Sequence, residues 1–248
     1  MDLKDKVVLV TGSSSGIGKA IAIKCADAGA SVLINYRKNK NGADKTLKEI
    51  EEAGGKGFIF KADVSSPSEV LELFKGIKSK GLQIDILVNN AGESPTGNLE
   101  DFEIWDRVLK DNFFSAVNCI NEFLKQVNQN DIGKIVNISS VYGFWEMGSP
   151  DYLQYTTSKA ALNSLTCSLA KKLAPKVLVN AVAPGYTMTP GWDGASEDEL
   201  RQAKDLSKIK RFVKPEEIAS MVMEIIRNDA ICGEVIRVDG GLHLQNIL

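Results

Sequence analysis

The sequence predicts one doubly wound α/β domain, a parallel sheet of seven strands with helices on both faces. Three observations lead there. Short β-branched runs alternate with stretches of helical period along the chain. The runs are apolar throughout rather than alternating, as strands are when helices shield both faces of a sheet. The rhythm is strand, helix, strand, and right-handed crossovers between parallel neighbours turn such an order into a doubly wound sheet. A chain of 248 residues that keeps this rhythm to its end reads as a single domain over 1–248.

Taken in order, KVVLVT is the first strand, followed by a glycine-bearing turn and a helix from Ile17 to Ala28 that Gly29 stops. SVLINY precedes a helix from Ala43 to Ala53, closed by Gly54. GFIF leads to a helix from Pro67 to Lys80, started by Ser66-Pro67, with Val70, Leu71, Phe74 and Ile77 on its apolar face. IDILVNN and KIVNISS are the fourth and fifth strands, and a long helix runs from about Gln154 to Leu173. VLVNAVA is the sixth strand, Lys214-Pro215-Glu216 opens the last helix, and EVIRV is the seventh strand. Only the segment 185–211 breaks the rhythm, being polar and glycine-containing. Ligands of open α/β sheets bind at the carboxyl ends of the strands, so this segment is expected to cover a substrate.

Composition narrows the classes further. Apolar residues make up 44% and charged residues 25%, and no apolar run approaches the roughly 20 residues that span a bilayer, so no membrane partner is expected. The opening MDLKDKVVLVTG passes straight into a strand without a secretory h-region, which points to the cytoplasm. A formal charge of −2 offers no basic surface, and no nucleic-acid partner is expected. Cys25, Cys119, Cys167 and Cys232 are scattered without a CxxC pair, and His243 is the only histidine, so neither a disulfide framework nor a metal site is expected.

The first strand runs into Thr11-Gly12-Ser13-Ser14-Ser15-Gly16-Ile17-Gly18 at the mouth of a helix. Gly12 suits a tight turn, Gly16 a close approach of backbone to pyrophosphate, and Gly18 close packing of helix on strand. The helix N-terminus adds unpaired N–H groups and partial positive charge. An ordinary strand-to-helix turn is the plain alternative, but the strand before and the helix after favour dinucleotide binding. The second strand ends at Tyr36-Arg37-Lys38, without the acid that usually binds the ribose hydroxyls of NAD(H). A guanidinium grips a 2′-phosphate that a carboxylate would repel, so Arg37 favours NADP(H) over NAD(H), unless it is a solvated loop charge.

Tyr155 and Lys159 lie four apart in the long helix and share one face. A neighbouring ammonium, helped by the positive nicotinamide ring, favours the phenolate of a tyrosine whose pKa is otherwise about 10, an arrangement suited to proton transfer. Spacing alone does not single this pair out, since Tyr36 and Lys40 fit the same pattern.

The ordered set of motifs does. TGxxxGxG at Thr11 to Gly18, Asn89-Asn90-Ala91-Gly92 after the fourth strand, Asn112, Ile138-Ser139-Ser140, Tyr155-x-x-x-Lys159 and Pro184-Gly185 follow one another. Together they resemble, over essentially the whole chain, the short-chain dehydrogenase/reductase family. The resemblance implies a Rossmann fold, a catalytic tetrad of Asn112, Ser140, Tyr155 and Lys159, and a homotetramer or homodimer built on the long helices. In the implied mechanism Tyr155 donates a proton to a carbonyl oxygen as hydride arrives from the nicotinamide, and Ser140 hydrogen-bonds that oxygen. Lys159 binds the nicotinamide ribose and lowers the tyrosine pKa, and Asn112 holds a water of a proton relay. Asn112 also reads as a buried amide at a helix irregularity. Ser14, Ser15, Ile17, Asn90, Ala91 and Gly92 are implied as cofactor contacts. Asp63-Val64 resembles the pair that faces adenine, although Asp63 also reads as a helix cap. Pro184-Gly185 with Thr187 and Thr189 resembles the segment that reaches the nicotinamide amide and the phosphates.

Two serines end the fifth strand. The family's usual spacing from serine to tyrosine points to Tyr142, whereas matching Ser139-Ser140-Val141-Tyr142-Gly143 to SSxxG selects Ser140, with a longer loop over 144–154 and Ser139 as the alternative. Within the family the chain is most similar to 3-oxoacyl-acyl-carrier-protein reductases and bacterial glucose dehydrogenases. A carrier protein is acidic, and Lys171, Lys172 and Lys176 are candidates for meeting it, while Asn128-Gln129-Asn130-Asp131 lacks the basic residue those reductases carry. The expectation is an NADP(H)-dependent oxidoreductase between a carbonyl and a secondary alcohol, of the 3-oxoacyl reductase kind. A glucose or polyol dehydrogenase is the alternative, and a non-catalytic NADP(H)-sensing protein is the alternative of another class.

Overall fold

A computed structural model describes residues 1–128 and 131–244; Gln129 and Asn130 of the Asn128–Asp131 stretch, and 245–248, lie outside the described residues. The elements are β1 (Val7–Val10), α1 (Gly16–Asp27), β2 (Ser31–Tyr36), α2 (Lys40–Glu52), β3 (Lys56–Lys61), α3 (Pro67–Ser79) and β4 (Ile86–Asn89). There follow α4 (Phe102–Leu109), a π turn (Lys110–Phe114), α5 (Ser115–Gln126), β5 (Gly133–Ile138), α6 (Leu153–Leu173), β6 (Val177–Pro184), α7 (Glu197–Leu206), α8 (Pro215–Arg227) and β7 (Val235–Val238). The strands form one parallel sheet in the order β3-β2-β1-β4-β5-β6-β7. The chain steps outward from β1 to β3, returns to β1's other side with β4, and steps away again. At that reversal the loops after β1 and β4 diverge, which leaves a cleft at the carboxyl ends of the strands.

Each central strand feeds both faces, because successive side chains point to opposite sides. Val8 and Val10 join Ile21 and Cys25 of α1 and Ile218 and Val222 of α8 in one core. Val7 and Leu9 join Phe74 of α3, Phe123 of α5 and Leu162 of α6 in the other. The helices begin and end where side-chain chemistry dictates. Ser66 caps α3 by accepting from the Glu69 N–H, with Pro67 in the first turn. Gly29 and Gly54 leave α1 and α2 with φ of +89° and +81°.

Three elements differ from the sequence reading. The helical stretch from Phe102 to Gln126 has no bounds in the sequence reading; its halves α4 and α5 are each amphipathic, and the π turn between them shifts the phase of one face against the other. α7 lies hidden in the polar segment 185–211 because it buries only Ala203; its start rests on a capping box between Ser196 and Glu199. On α3, Leu71 faces solvent and Leu73 takes its place in the core. No helix among the described residues is long and apolar enough to cross a membrane.

Candidate active site

The loop after β1 is held from two strands. Gly12 and Gly16 take φ of +63° and +56°, values that other residues adopt only under strain. Asn35 of β2 accepts the Gly12 N–H at 3.2 Å, and its own N–H donates to Ser13 Oγ at 3.1 Å. After β4, Asn90 Nδ2 donates to the carbonyls of Thr11 and Gly12 at 2.9 and 3.1 Å, while Thr11 Oγ1 accepts from the backbone N–H groups of Asn90 and Ala91. A Cβ on Gly18 would overlap Asn90 Nδ2 and come within 2.6 Å of the Gly12 carbonyl, so Gly18 seats α1 on the loop.

A cleft of about 600 Å³ opens above this loop, lined by Gly12, Ser14, Ser15, Gly16 and Ile17, by Arg37, Asp63 and Val64, by Asn90, Ala91 and Gly92, and by Thr189. No side chain caps the N-terminus of α1 at Ser15, so its first N–H groups are left for an anion. A Cβ on Gly16 would stand 3.3 Å from Thr189 Cγ2, so Thr189 closes the cleft opposite that N-terminus. These residues fit a dinucleotide, with the pyrophosphate at α1. Thr187 is buried instead, its hydroxyl donating to the Gly185 carbonyl at 3.0 Å. Gly185 itself lets the end of β6 approach β7, since a Cβ there would stand 2.7 Å from Asp239 Cα. Pro184, Gly185 and Thr187 therefore support the wall that Thr189 presents.

Arg37 follows β2 at the adenosine side of this cleft. Its Nη1 donates to both carboxylate oxygens of Asp111 at 3.0 Å and to Asp63 Oδ2 at 3.4 Å. Asp63 is no helix cap; its Oδ1 accepts from the Ser65 N–H and hydroxyl. Burial pushes the Asp63 carboxyl up, but Ser65 and Arg37 more than offset this and hold it below the usual range.

At the far end of the cleft, Gly92 borders Asn112 and Lys159, two of the four residues expected to form a tetrad. A Cβ on Gly92 would overlap Asn112 Oδ1 and stand 3.6 Å from Lys159 Nζ. Asn112 sits in the π turn, where backbone pairing shifts and leaves carbonyls to be satisfied by side chains. Its Nδ2 donates to the carbonyls of Val108 and Glu93 at 3.1 and 2.8 Å, and its Oδ1 is buried with no partner among the described residues. Asn112 is thus a buried amide that bonds backbone at a helix irregularity, and its Oδ1 is left as an acceptor beside Gly92.

Lys159 is buried, donates from Nζ to the Ile138 carbonyl at 2.9 Å, and lies over the Tyr155 ring at 5.6 Å from its centroid. Burial pulls its pKa down to about 8. Burial pushes the Tyr155 phenol up, opposed only by the Ser140 hydroxyl. In the chain without cofactor the ammonium is desolvated and lies over the ring, and it does not draw the phenol down; the positive nicotinamide ring that completes the expected pairing is a further charge that only the cofactor brings. The two serines separate cleanly. Ser139 is tied to α6, donating to Asn163 Oδ1 at 2.5 Å, whereas Ser140 turns toward Tyr155.

Sequence reasoning passed over the aromatic side chains beyond Ser140. Tyr142 and Tyr186 place their hydroxyls 2.6 Å apart, and the rings of Tyr152, Tyr142, Tyr186, Trp192 and Phe212 follow one another in contact. The loop 144–154 folds into two 3-10 turns and is anchored to β7, where Arg237 stacks on Phe144 and pairs with Glu146. Lys171, Lys172 and Lys176 do not flank the site mouth. Tyr155 occupies the first turn of α6 and these lysines its far end and the turn into β6, about 24 Å along the axis at 1.5 Å per residue.

The short chain dehydrogenase family profile matches residues 6–200. The chain is 34% identical to the 3-oxoacyl-(acyl-carrier-protein) reductase FabG of Staphylococcus epidermidis over 97% of its own length and 100% of that protein. It is 36% identical to glucose 1-dehydrogenase 2 of Bacillus subtilis over 98% of its length and 96% of that protein. Among solved structures, the angucycline C-6 ketoreductase LanV with bound NADP superposes with a TM-score of 0.90 at 33% identity, each chain covered to 98%. The parallel seven-stranded sheet, the glycine loop at its reversal point and these matches have one consequence: the chain belongs to the short-chain dehydrogenase/reductase family and is an oxidoreductase acting between an alcohol and a carbonyl.

Proposed function

We propose that this chain reduces a ketone to a secondary alcohol, and runs the reverse oxidation, with NADP(H) preferred over NAD(H). The observation that carries the reading is the convergence of Tyr155, Lys159 and the unpartnered Asn112 Oδ1 beside Gly92, at the end of a cleft shaped for a dinucleotide. When bound, the cofactor supplies the hydride in reduction and takes it back in oxidation. The Tyr155 hydroxyl delivers its proton to the substrate oxygen, and Ser140 donates a hydrogen bond to the same atom as charge builds there. Lys159 and a water held by Asn112 Oδ1 return the proton to Tyr155. The raised phenol suits this direction, since it keeps the donor protonated at neutral pH. Residues 185–211 cover the substrate, Trp192 and Tyr186 forming the inner side of that cover.

NADP(H) is preferred because Arg37 and Lys38 directly follow β2, both lining the cleft, with no acid at the end of that strand. The 3-oxoacyl reading of the substrate is supported by the staphylococcal relative. A hydroxylated small molecule is the second reading; the Tyr142 and Tyr186 hydroxyl pair beside Ser140 favours it, and so does the distance of Lys171, Lys172 and Lys176 from the mouth. The chain acts in the cytoplasm as a homotetramer. Its four cysteines are unpaired, as suits a reducing compartment, and Phe102 and Phe114 expose apolar surface on the α4–α5 segment.

The test is a panel of a 3-oxoacyl thioester, a cyclic ketone and a sugar or polyol, followed by absorbance of NADPH and NADH. Turnover with any member and a higher kcat/KM for NADPH support the reading. Arg37→Ala should lower the NADPH kcat/KM about 10-fold or more, the size of a lost charge-assisted hydrogen bond. A wild-type preference for NADH would overturn the cofactor assignment.

A further inference from the structure

The adenosine corner of the cleft gathers one cation and two anions. Arg37 spends Nη1 on Asp111 and Asp63, while its Nε and Nη2 donate to nothing among the described residues. Asp111 projects from the π turn with its side chain 9% exposed, and the Ser115 hydroxyl fixes its carbonyl at 2.7 Å. Asp63 is held by two further bonds from Ser65, so among the described residues Asp111 is the carboxylate whose only side-chain partner is Arg37. The three groups sum to one net negative charge, and the nearest other cation lining the cleft, Lys38, is solvent-exposed.

We propose that Asp111 is a cofactor-selectivity residue: by sharing the Arg37 guanidinium it weakens the hold on a 2′-phosphate and leaves the chain able to use NADH as well as NADPH. The inference rests on Arg37 being the 2′-phosphate partner. A phosphate can reach the free Nε–Nη2 edge without displacing either carboxylate, but it then sits close to both. The guanidinium's charge is already compensated, and the like charges repel. An NADH ribose presents a neutral hydroxyl at the same place, which can donate to a carboxylate. Holding Arg37 in one orientation is an opposing benefit to the phosphate. It restricts one side chain, whereas the repulsion acts between a dianion and two carboxylates.

The test is calorimetric titration of the purified protein with NADP⁺ and NAD⁺, comparing wild type, Asp111→Asn and Arg37→Ala, with kcat/KM for NADPH and NADH beside it. Asparagine keeps an acceptor for Arg37 and removes the charge. Asp111→Asn should tighten NADP⁺ by about 10-fold and leave NAD⁺ within about twofold. Arg37→Ala should loosen NADP⁺; if it does not, the underlying assignment of Arg37 fails whatever Asp111→Asn does. If Arg37→Ala loosens NADP⁺ while Asp111→Asn leaves it unchanged or loosens it as well, Asp111 merely positions Arg37 and the proposal is overturned. Thermal melts check that each variant folds, and Asp111→Ser repeats the measurement if asparagine does not.

Discussion

Ser139 and Ser140 are adjacent in the chain and opposite in surroundings, and mutation should separate them. Ser140→Ala removes the hydroxyl turned toward Tyr155 and should lower kcat about 100-fold, the scale of a lost oxyanion donor. Ser139→Ala should leave kcat within a few fold and lower the melting temperature, since it breaks a buried bond to Asn163. Steady-state kinetics and thermal melts of both variants make the comparison, and the reverse order would move the site to Ser139. Tyr155→Phe should keep the fold and cofactor affinity while lowering turnover by at least about 100-fold. Because burial raises the phenol, ketone reduction should persist from neutral pH upward and decline as the phenol ionises, whereas alcohol oxidation should rise with pH; initial rates in both directions across pH test this. Lys159 carries a stability consequence of opposite sense. Its pKa falls from 10.5 to about 8, so the cost of burying the ammonium is fully present below about pH 8 and fades as pH rises toward the unfolded value. Unfolding free energy of the ligand-free protein should therefore climb across that window by at most about 3 kcal/mol, and Lys159→Met should lose that climb. Denaturant titrations of both proteins at several pH values measure it.

At the scale of elements, the glycine loop carries the sharpest steric prediction. Gly18→Ala puts a methyl onto Asn90 Nδ2 and the Gly12 carbonyl, so α1 must back away from the loop. The variant should lose about 1–3 kcal/mol of stability and bind dinucleotide more weakly, as melting curves and cofactor titration will report. This loop was legible in the sequence because its chemistry is contiguous: strand, glycines and helix start follow within a dozen positions. The Tyr155–Lys159 pair stood out only through the ordered set of motifs around it, since Tyr36 and Lys40 share its spacing. The Arg37–Asp111 pair was not legible, because it joins the end of β2 to a π turn far along the chain, and nothing in local spacing announces it. The π turn itself only shifts the phase of one apolar face against the other. Asn35 reads as one more strand residue until its amide is found bridging Gly12 and the Ala62 carbonyl. Three lysines near the end of α6 were misplaced because sequence position alone does not tell which end of a 21-residue helix faces a cleft.

At the scale of the molecule, the α4–α5 segment presents apolar side chains with no cover in a single chain, Phe102 at 78% exposure and Phe114 at 47% among them. Sedimentation velocity should find an assembly, and Phe102→Lys should shift it toward smaller species while the isolated fold survives; an unchanged distribution would place the interface elsewhere. Overall topology was legible because strand and helix alternate so regularly, and the helices that escaped, α4, α5 and α7, lie in the two longest stretches between strands, where that alternation gives no guide. The sheet order has one more consequence. β1 precedes the other six strands of the sheet along the chain, yet it finishes in its interior, with β2 on one side and β4 on the other. While the ribosome is still making the stretch between Lys61 and Asn89, β1, β2 and β3 can already gather, but Val8, Leu9 and Val10 wait for Ile86, Leu87 and Val88. Through that interval a short apolar strand offers a bare edge to any neighbouring nascent chain, and the hazard ends only when β4 emerges and takes its place.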